Sequence, residues 1–245
     1  MEWKDDAIAL MARPYGETGV ILETLTRHHG RHLGLVHGGA SRRLKSSLLG
    51  GNTLDITWRA RLPENLGTFS AELRRERAGA LLEDREALVG LNAFSEVAHA
   101  VIPERESHET VFVAAEILLD AMTESDFLHW GALYVRWEAG LLDELGFGLD
   151  LRSCAATGTT ENLHYVSPKS GHAVSADAGQ PWHSRLLALP TFLLEPAKAA
   201  PTREEIADGL RLTGYFLQDR VLAPHHRPIP SARLRLDALA APESS

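Results

Sequence analysis

Cysteine is almost absent from this chain: its 245 residues contain one, Cys154. A single thiol excludes an internal disulfide framework and fits a reducing compartment. Long apolar runs are missing as well, since none approaches the roughly 20 residues a membrane-spanning helix needs. The opening "MEWKDDAIALM" puts acidic residues before a short apolar run, which is not the pattern of a signal peptide. The expectation is a cytoplasmic protein with no membrane association. Catalytic signatures are also lacking. His108-Glu109 is followed by Thr110, Val111 and Phe112, so the His-Glu-x-x-His zinc motif fails. No phosphate loop or strand-borne Gly-x-Gly-x-x-Gly occurs, and Ser41 in "GGASRR" lacks the second glycine of a nucleophile elbow. No enzyme is expected.

The most informative absence is local. From Thr26 to Leu54, "TRHHGRHLGLVHGGASRRLKSSLLGGNTL", there is no Asp or Glu, although the chain has 33 of them against 25 Lys+Arg and a formal charge of -8. The window instead holds Arg27, Arg31, Arg42, Arg43 and Lys45, with His28, His29, His32 and His37. Residues 1–80 carry 12 Lys+Arg and 9 Asp+Glu; residues 81–245 carry 13 and 24. A basic front end on an acidic remainder suggests an anion-binding surface.

What is present divides into two kinds of sequence. Up to about residue 77, short runs such as "AIALMARPYG", "GVILETLTRHHG" and "RHLGLVHGG" end in glycine. "TLDITWRARL" sets Leu54, Ile56 and Trp58 on one face against Asp55, Thr57 and Arg59, and "TFSAELRRE" supplies a fifth strand. Such strands between Gly-rich turns predict a small sandwich or barrel, with Trp58 in its core. After residue 78 the apolar residues recur at helical spacing, as Leu81, Leu88, Leu91 and Val97 do, and as Phe127, Trp130, Tyr134, Trp137 and Leu141 do. Thr202 and Glu205 form a capping box that opens a helix running to about Val221, before Pro224. An irregular Gly/Ser/Thr-rich segment interrupts the helices at about 152–182, and "LAAPESS" reads as a tail. The expected fold is α+β and multi-domain, with residues 1–79 as a β-domain and residues 80–245 as an α-helical bundle.

The carboxylate-free window predicts contact with a nucleic-acid backbone, through Arg27, His28, Arg31, His32, Arg42, Arg43 and Lys45. Its glycines let backbone amides approach a phosphate closely. Five cations each neutralising one phosphate of a single strand give a salt slope near about -3.5, or about 100-fold weaker binding between about 50 and 200 mM salt. Histidine protonation predicts tighter binding in mild acid. Trp3, Tyr15, Trp58 and Phe69 are the few aromatics within reach, so little base readout is expected.

Three stretches carry a resemblance. "RPYGETGVILETLTRHHGRHLGLVHGG" (Arg13–Gly39), "TWRARLPENLG" (Thr57–Gly67) and "LLDELGFGLDLRSCAATG" (Leu141–Gly158) resemble the bacterial RecO family of recombination mediators, in the same order along the chain. The resemblance implies an N-terminal OB-fold, a C-terminal helical domain and a role in recombinational DNA repair. It implies binding of single- and double-stranded DNA, annealing of complementary strands, and association with RecR. It also implies contact with the acidic C-terminal tail of single-strand binding protein, and so help in loading RecA onto coated strands. Many members of the family carry paired cysteines as a zinc site. Here the first pair reads Cys154-Ala155-Ala156-Thr157 and no second pair follows, so no metal or other cofactor is expected. Arg136 is read as an ordinary surface residue rather than a tail contact. Two other functions fit the same window: a protein–protein adaptor meeting an acidic partner, and an RNA-binding OB protein.

Overall fold

In the computed structural model, which describes residues 1–194 and 201–241, the chain separates into two compact units, Met1–Glu124 and Ser125–Ser245. Most of the "LAAPESS" tail lies outside the described residues.

The first unit opens with five strands: β1 (Glu2–Tyr15), β2 (Gly19–Thr26), β3 (Gly30–Val36), β4 (Thr53–Arg59) and β5 (Thr68–Arg75). They close into a barrel in the order β1-β2-β3-β5-β4, antiparallel except for the short closure where Leu35 of β3 meets Thr68 of β5. The alternation read in β4 is realised: Leu54, Ile56 and Trp58 are buried while Asp55 and Arg59 are exposed. Trp58 is 1% exposed and its indole N–H donates to the Leu66 carbonyl at 3.0 Å. In β3 the inward set is His32, Gly34 and Val36. Gly34 is there because a Cβ at that position would sit 2.5 Å from Phe69 Cδ2, closer than packed carbons approach.

One short helix, α1 (Arg42–Ser47), lies between β3 and β4. Its apolar anchors, Leu44 and Leu48, are four residues apart and so share a face; both pack on the barrel core. Three helices complete the unit: α2 (Ala78–Glu83), α3 (Arg85–Val101) and α4 (Glu109–Glu124). The continuous helix suggested by the spacing from Leu81 to Val97 is broken at Asp84. That residue has extended backbone and its side chain accepts the Ala87 N–H at 2.9 Å, satisfying one of the free amides at the start of α3.

The second unit contains α5 (Phe127–Glu144), a three-stranded sheet in the order β7-β6-β8, and the helices α6 (Ala176–Gly179), α7 (Arg203–Phe216) and α8 (Ser231–Ala240). The strands are β6 (Leu163–Val166), β7 (Ala173–Ser175) and β8 (Leu187–Ala188), so the segment expected to be irregular holds two strands of a small sheet in which β6 pairs with both β7 and β8. The capping box forms as expected: Glu205 N–H donates to Thr202 Oγ1 at 3.2 Å and Thr202 N–H to Glu205 Oε2 at 3.0 Å. α7 itself stops at Phe216, and the chain continues to Leu222 as a wider π turn. At the centre of the unit, Arg233 and Glu138 are both 0% exposed and are joined by two hydrogen bonds, of 2.6 and 3.0 Å. A buried charge pair needs its remaining hydrogen-bonding capacity filled; the Leu210 carbonyl accepts a further bond from Arg233 at 2.7 Å.

Candidate nucleic-acid interface

The basic window divides in two when its side chains are followed. Arg27, in the β2–β3 turn, faces three carboxylates: Asp6 at 3.5 Å, Glu109 at 3.4 Å and Glu116 at 3.3 Å. Its guanidinium also lies 4.9 Å over the Phe112 ring. Arg31 is buried. It donates to the Ile102 carbonyl at 2.8 Å and to Glu23 at 2.6 Å, with Glu104 at 3.4 Å. Both arginines therefore tie the barrel to the helices that follow it in sequence.

The histidines are spread over several environments. His28 is exposed, with its ring 3.9 Å from Glu109. His29 stacks on Trp3 at 4.0 Å and meets Asp5 at 2.7 Å. His32 points into the barrel, edge-on to Trp3, Trp58 and Phe69. Burial lowers its pKa below the ordinary 6.5, and the nearby Arg105 and His29 act in the same direction, so mild acid does not readily charge it. His37 is exposed just beyond β3.

Arg42, Arg43 and Lys45 are placed differently. With Leu44 and Leu48 held inward, these three project from the outer side of α1 and are exposed. Among the described residues none of the three has a carboxylate within ion-pair distance, whereas Arg27, Arg31, Arg75 and Arg77 all do. α1 is pinned at both ends. Ala40 N–H donates to the Thr18 carbonyl at 3.1 Å, and Gly51 N–H to the Ala9 carbonyl at 2.9 Å. These bonds lay the helix along the β1–β2 hairpin, whose exposed residues include Arg13 and Tyr15. Arg13 was not among the expected contacts, because it precedes the carboxylate-free window. Its sequence signal is only that Pro14 and Gly16 put it at a turn.

The remaining expectations concern the second unit. Cys154 is 2% exposed and its sulfur accepts the Ser175 N–H at 3.3 Å. Burial pushes this thiol up, but the Ser175 and Thr157 hydroxyls and the Ser175 and Ala156 amides pull it down to about 6. A thiol flanked by hydroxyls does not fit a structural zinc site, which needs four N or S donors. Backbone bonds hold the segment instead, such as Cys154 N–H to Thr159 O at 2.7 Å and Ala155 N–H to Ala173 O at 2.9 Å. Arg136 donates twice to the Phe192 carbonyl, at 3.2 and 2.7 Å, and so acts within the unit. Among the described residues, no helix is long and apolar enough to cross a membrane.

Fold and surface together define a two-part chain, a β-barrel carrying an exposed basic helix and followed by helices and a small sheet. Two family descriptions match it in that order: "Recombination protein O N terminal" over residues 1–76 and "Recombination protein O C terminal" over residues 82–228. The chain belongs to the RecO family. It is 49% identical to the DNA repair protein RecO of Rhodospirillum rubrum over 238 residues, covering 96% of this chain and 94% of that one. It is 51% identical to that of Rhodospirillum centenum over 237 residues (96% and 93%), and 48% identical to one from Cereibacter sphaeroides over 243 residues (98% and 99%). The family is one of DNA repair mediators and not a known family of enzymes.

Proposed function

We propose that this chain is a cytoplasmic, non-catalytic recombination mediator that binds DNA through the outer side of α1. Its nucleic-acid-binding part is the barrel of residues 1–79, inside the first compact unit, and residues 80–245 supply the helices of that unit and the whole of the second. The strand order β1-β2-β3-β5-β4 with a helix between β3 and β4 supports an OB-fold for the barrel, a fold that tracks single strands through basic grooves. The observation that carries the reading is the contrast within one window: Arg42, Arg43 and Lys45 are exposed without carboxylate partners, while Arg27 and Arg31 are held internally. An unpaired cation can release a phosphate's counterions; one already paired to a carboxylate gains little by the exchange. His28, in the β2–β3 turn beside Asp5 and Glu109, lies apart from α1 and is left out of this surface. Family membership supports the wider role: binding of single- and double-stranded DNA, strand annealing, and action with RecR at strands coated by single-strand binding protein, whose acidic tail it engages, to favour RecA loading.

Fluorescence anisotropy of a labelled oligonucleotide at several salt concentrations tests this. Three phosphate contacts to a single strand give a slope near about -2, or about 20-fold weakening between about 50 and 200 mM salt. Arg42→Ala/Arg43→Ala/Lys45→Ala flattens that slope and weakens binding. Unchanged binding in the triple variant would remove α1 from the interface. Matched DNA and RNA strands in competition separate a DNA mediator from an RNA-binding protein, and no oligonucleotide binding at 150 mM salt would favour a protein adaptor.

A further inference from the structure

The second unit carries an exposed aromatic residue that the reading above leaves unused. Gln180–Arg185 form a 3-10 turn in which no residue is buried. Trp182 lies in it and is 57% exposed, although indole is a side chain that folding usually covers well. The Arg185 guanidinium sits 6.0 Å from the ring centroid, so a cation–π attraction orients the indole and leaves most of it open. His183 is fixed in the same turn, its Nδ1 3.0 Å from the Gln180 carbonyl oxygen.

Cations flank the turn on the sheet side, with Asp177 of α6 the nearest carboxylate in sequence. Leu187 of β8 pairs antiparallel with Val166 of β6, so the residues before Leu187 run back toward the β6–β7 turn, where Lys169 is exposed. Arg220 donates to the Lys169 carbonyl at 2.8 Å and brings a further cation there, partly offset by Asp219 at 3.1 Å. Apolar company is missing. Among the described residues, no other large hydrophobic side chain between Phe147 and Tyr215 is exposed. A protein partner would need a contiguous apolar patch. A single flat ring beside cations matches one unstacked base with its phosphate.

We propose that Trp182, with Arg185 and Lys169, is a second contact for a single nucleic-acid strand, separate from α1. The base stacks on the indole without sequence preference, and the phosphate lies against the cations. With one contact on each unit, a single chain holds two strands, or two stretches of one. This site stands or falls independently of α1.

The test uses the full chain and oligothymidylate carrying one 5-bromodeoxyuridine, photo-crosslinked and mapped by mass spectrometry. Anisotropy is measured alongside for Trp182→Ala, Trp182→Phe and the α1 triple variant. A cross-link at Trp182 is expected. Trp182→Ala should weaken oligothymidylate binding about 5- to 100-fold, leave affinity for blunt duplex and the melting temperature unchanged, and be largely rescued by Trp182→Phe. Wild-type affinity in Trp182→Ala, or cross-links confined to other residues, overturns the proposal while leaving the α1 surface standing. Loss confined to the α1 variant assigns all binding to the barrel and likewise overturns it.

Discussion

Glu23 is 2% exposed, and one of its oxygens, Oε1, holds both Arg31 at 2.6 Å and the His99 ring at 2.8 Å. A buried carboxylate is tolerable only with such partners, which is why an arginine in a basic stretch is turned inward. His32 is the titratable residue beside it in sequence, and its depressed pKa gives stability a pH dependence. Well above 6.5 the ring is neutral in both folded and unfolded chains and contributes nothing. As pH falls below that value, the unfolded chain takes up the proton more readily than the barrel does. Stability should therefore decline as pH drops from about 7.5 to 5.5, levelling off only below the folded pKa. Thermal melts of wild type and His32→Phe across that range check this. The phenyl ring suits the aromatic surroundings, and the variant should show a shallower decline; equal declines would clear His32 of the effect.

α4 shows how an element organises such residues. Glu109, Glu116, Asp120 and Glu124 recur at helical spacing on one side of it. Against them lie Arg27, Arg75 and Arg77 of the barrel and the residues just after it: Arg77, 2% exposed, donates to Asp120 at 2.5 Å, and Arg75 meets Asp120 at 2.6 Å. Part of the acidity of the chain's later part is thus matched internally: of the 24 carboxylates in residues 81–245, Glu104, Glu109, Glu116, Asp120 and Glu124 pair with arginines between residues 27 and 77. Glu116→Gln/Asp120→Asn leaves Arg77 buried without an anion and should cost about 3–5 kcal/mol, read as a lowered urea midpoint. A midpoint within experimental error of wild type would mean that the stripe is solvated charge. This pairing also marks where sequence alone runs out. The five strands, the change of period after residue 78 and the Thr202/Glu205 box follow from neighbours a few residues apart, and all were legible. Arg27 and Arg42 are chemically identical and sit in the same window, and what distinguishes them is Glu109 and Glu116, more than 80 residues further on. The break at Asp84 had a local signal, a capping side chain before Ala87, that the continuing apolar period concealed. β1 begins at Glu2, ahead of the apolar run that announced it, because Asp5 is drawn in by the His29 ring and the His28 amide.

At the scale of the molecule, the helices up to Glu124 complete the first compact unit. Asn52 makes the same point: its side-chain oxygen accepts the N–H groups of Arg77 and Ala78, both at 2.9 Å, at the exit from the barrel. A chain ending at residue 124 should unfold cooperatively. One ending at residue 79 lacks the partners of Arg27, Arg31 and Arg77 and should not. Urea titrations followed by circular dichroism, with tryptophan fluorescence as a second probe, distinguish the two, and a cooperative transition in the shorter chain would show that the barrel is self-sufficient. The carboxylates of α4 also impose an order on synthesis. A ribosome finishes β5 more than 40 residues before it adds Asp120, so the nascent strands leave the tunnel with arginines that have no anion to meet. Unfolded segments of this kind are where premature association and chaperone capture act. If the chain ending at residue 79 does not fold, durable closure of the barrel waits until α4 has left the tunnel, and the helix is then the step that releases the front of the protein from dependence on such help.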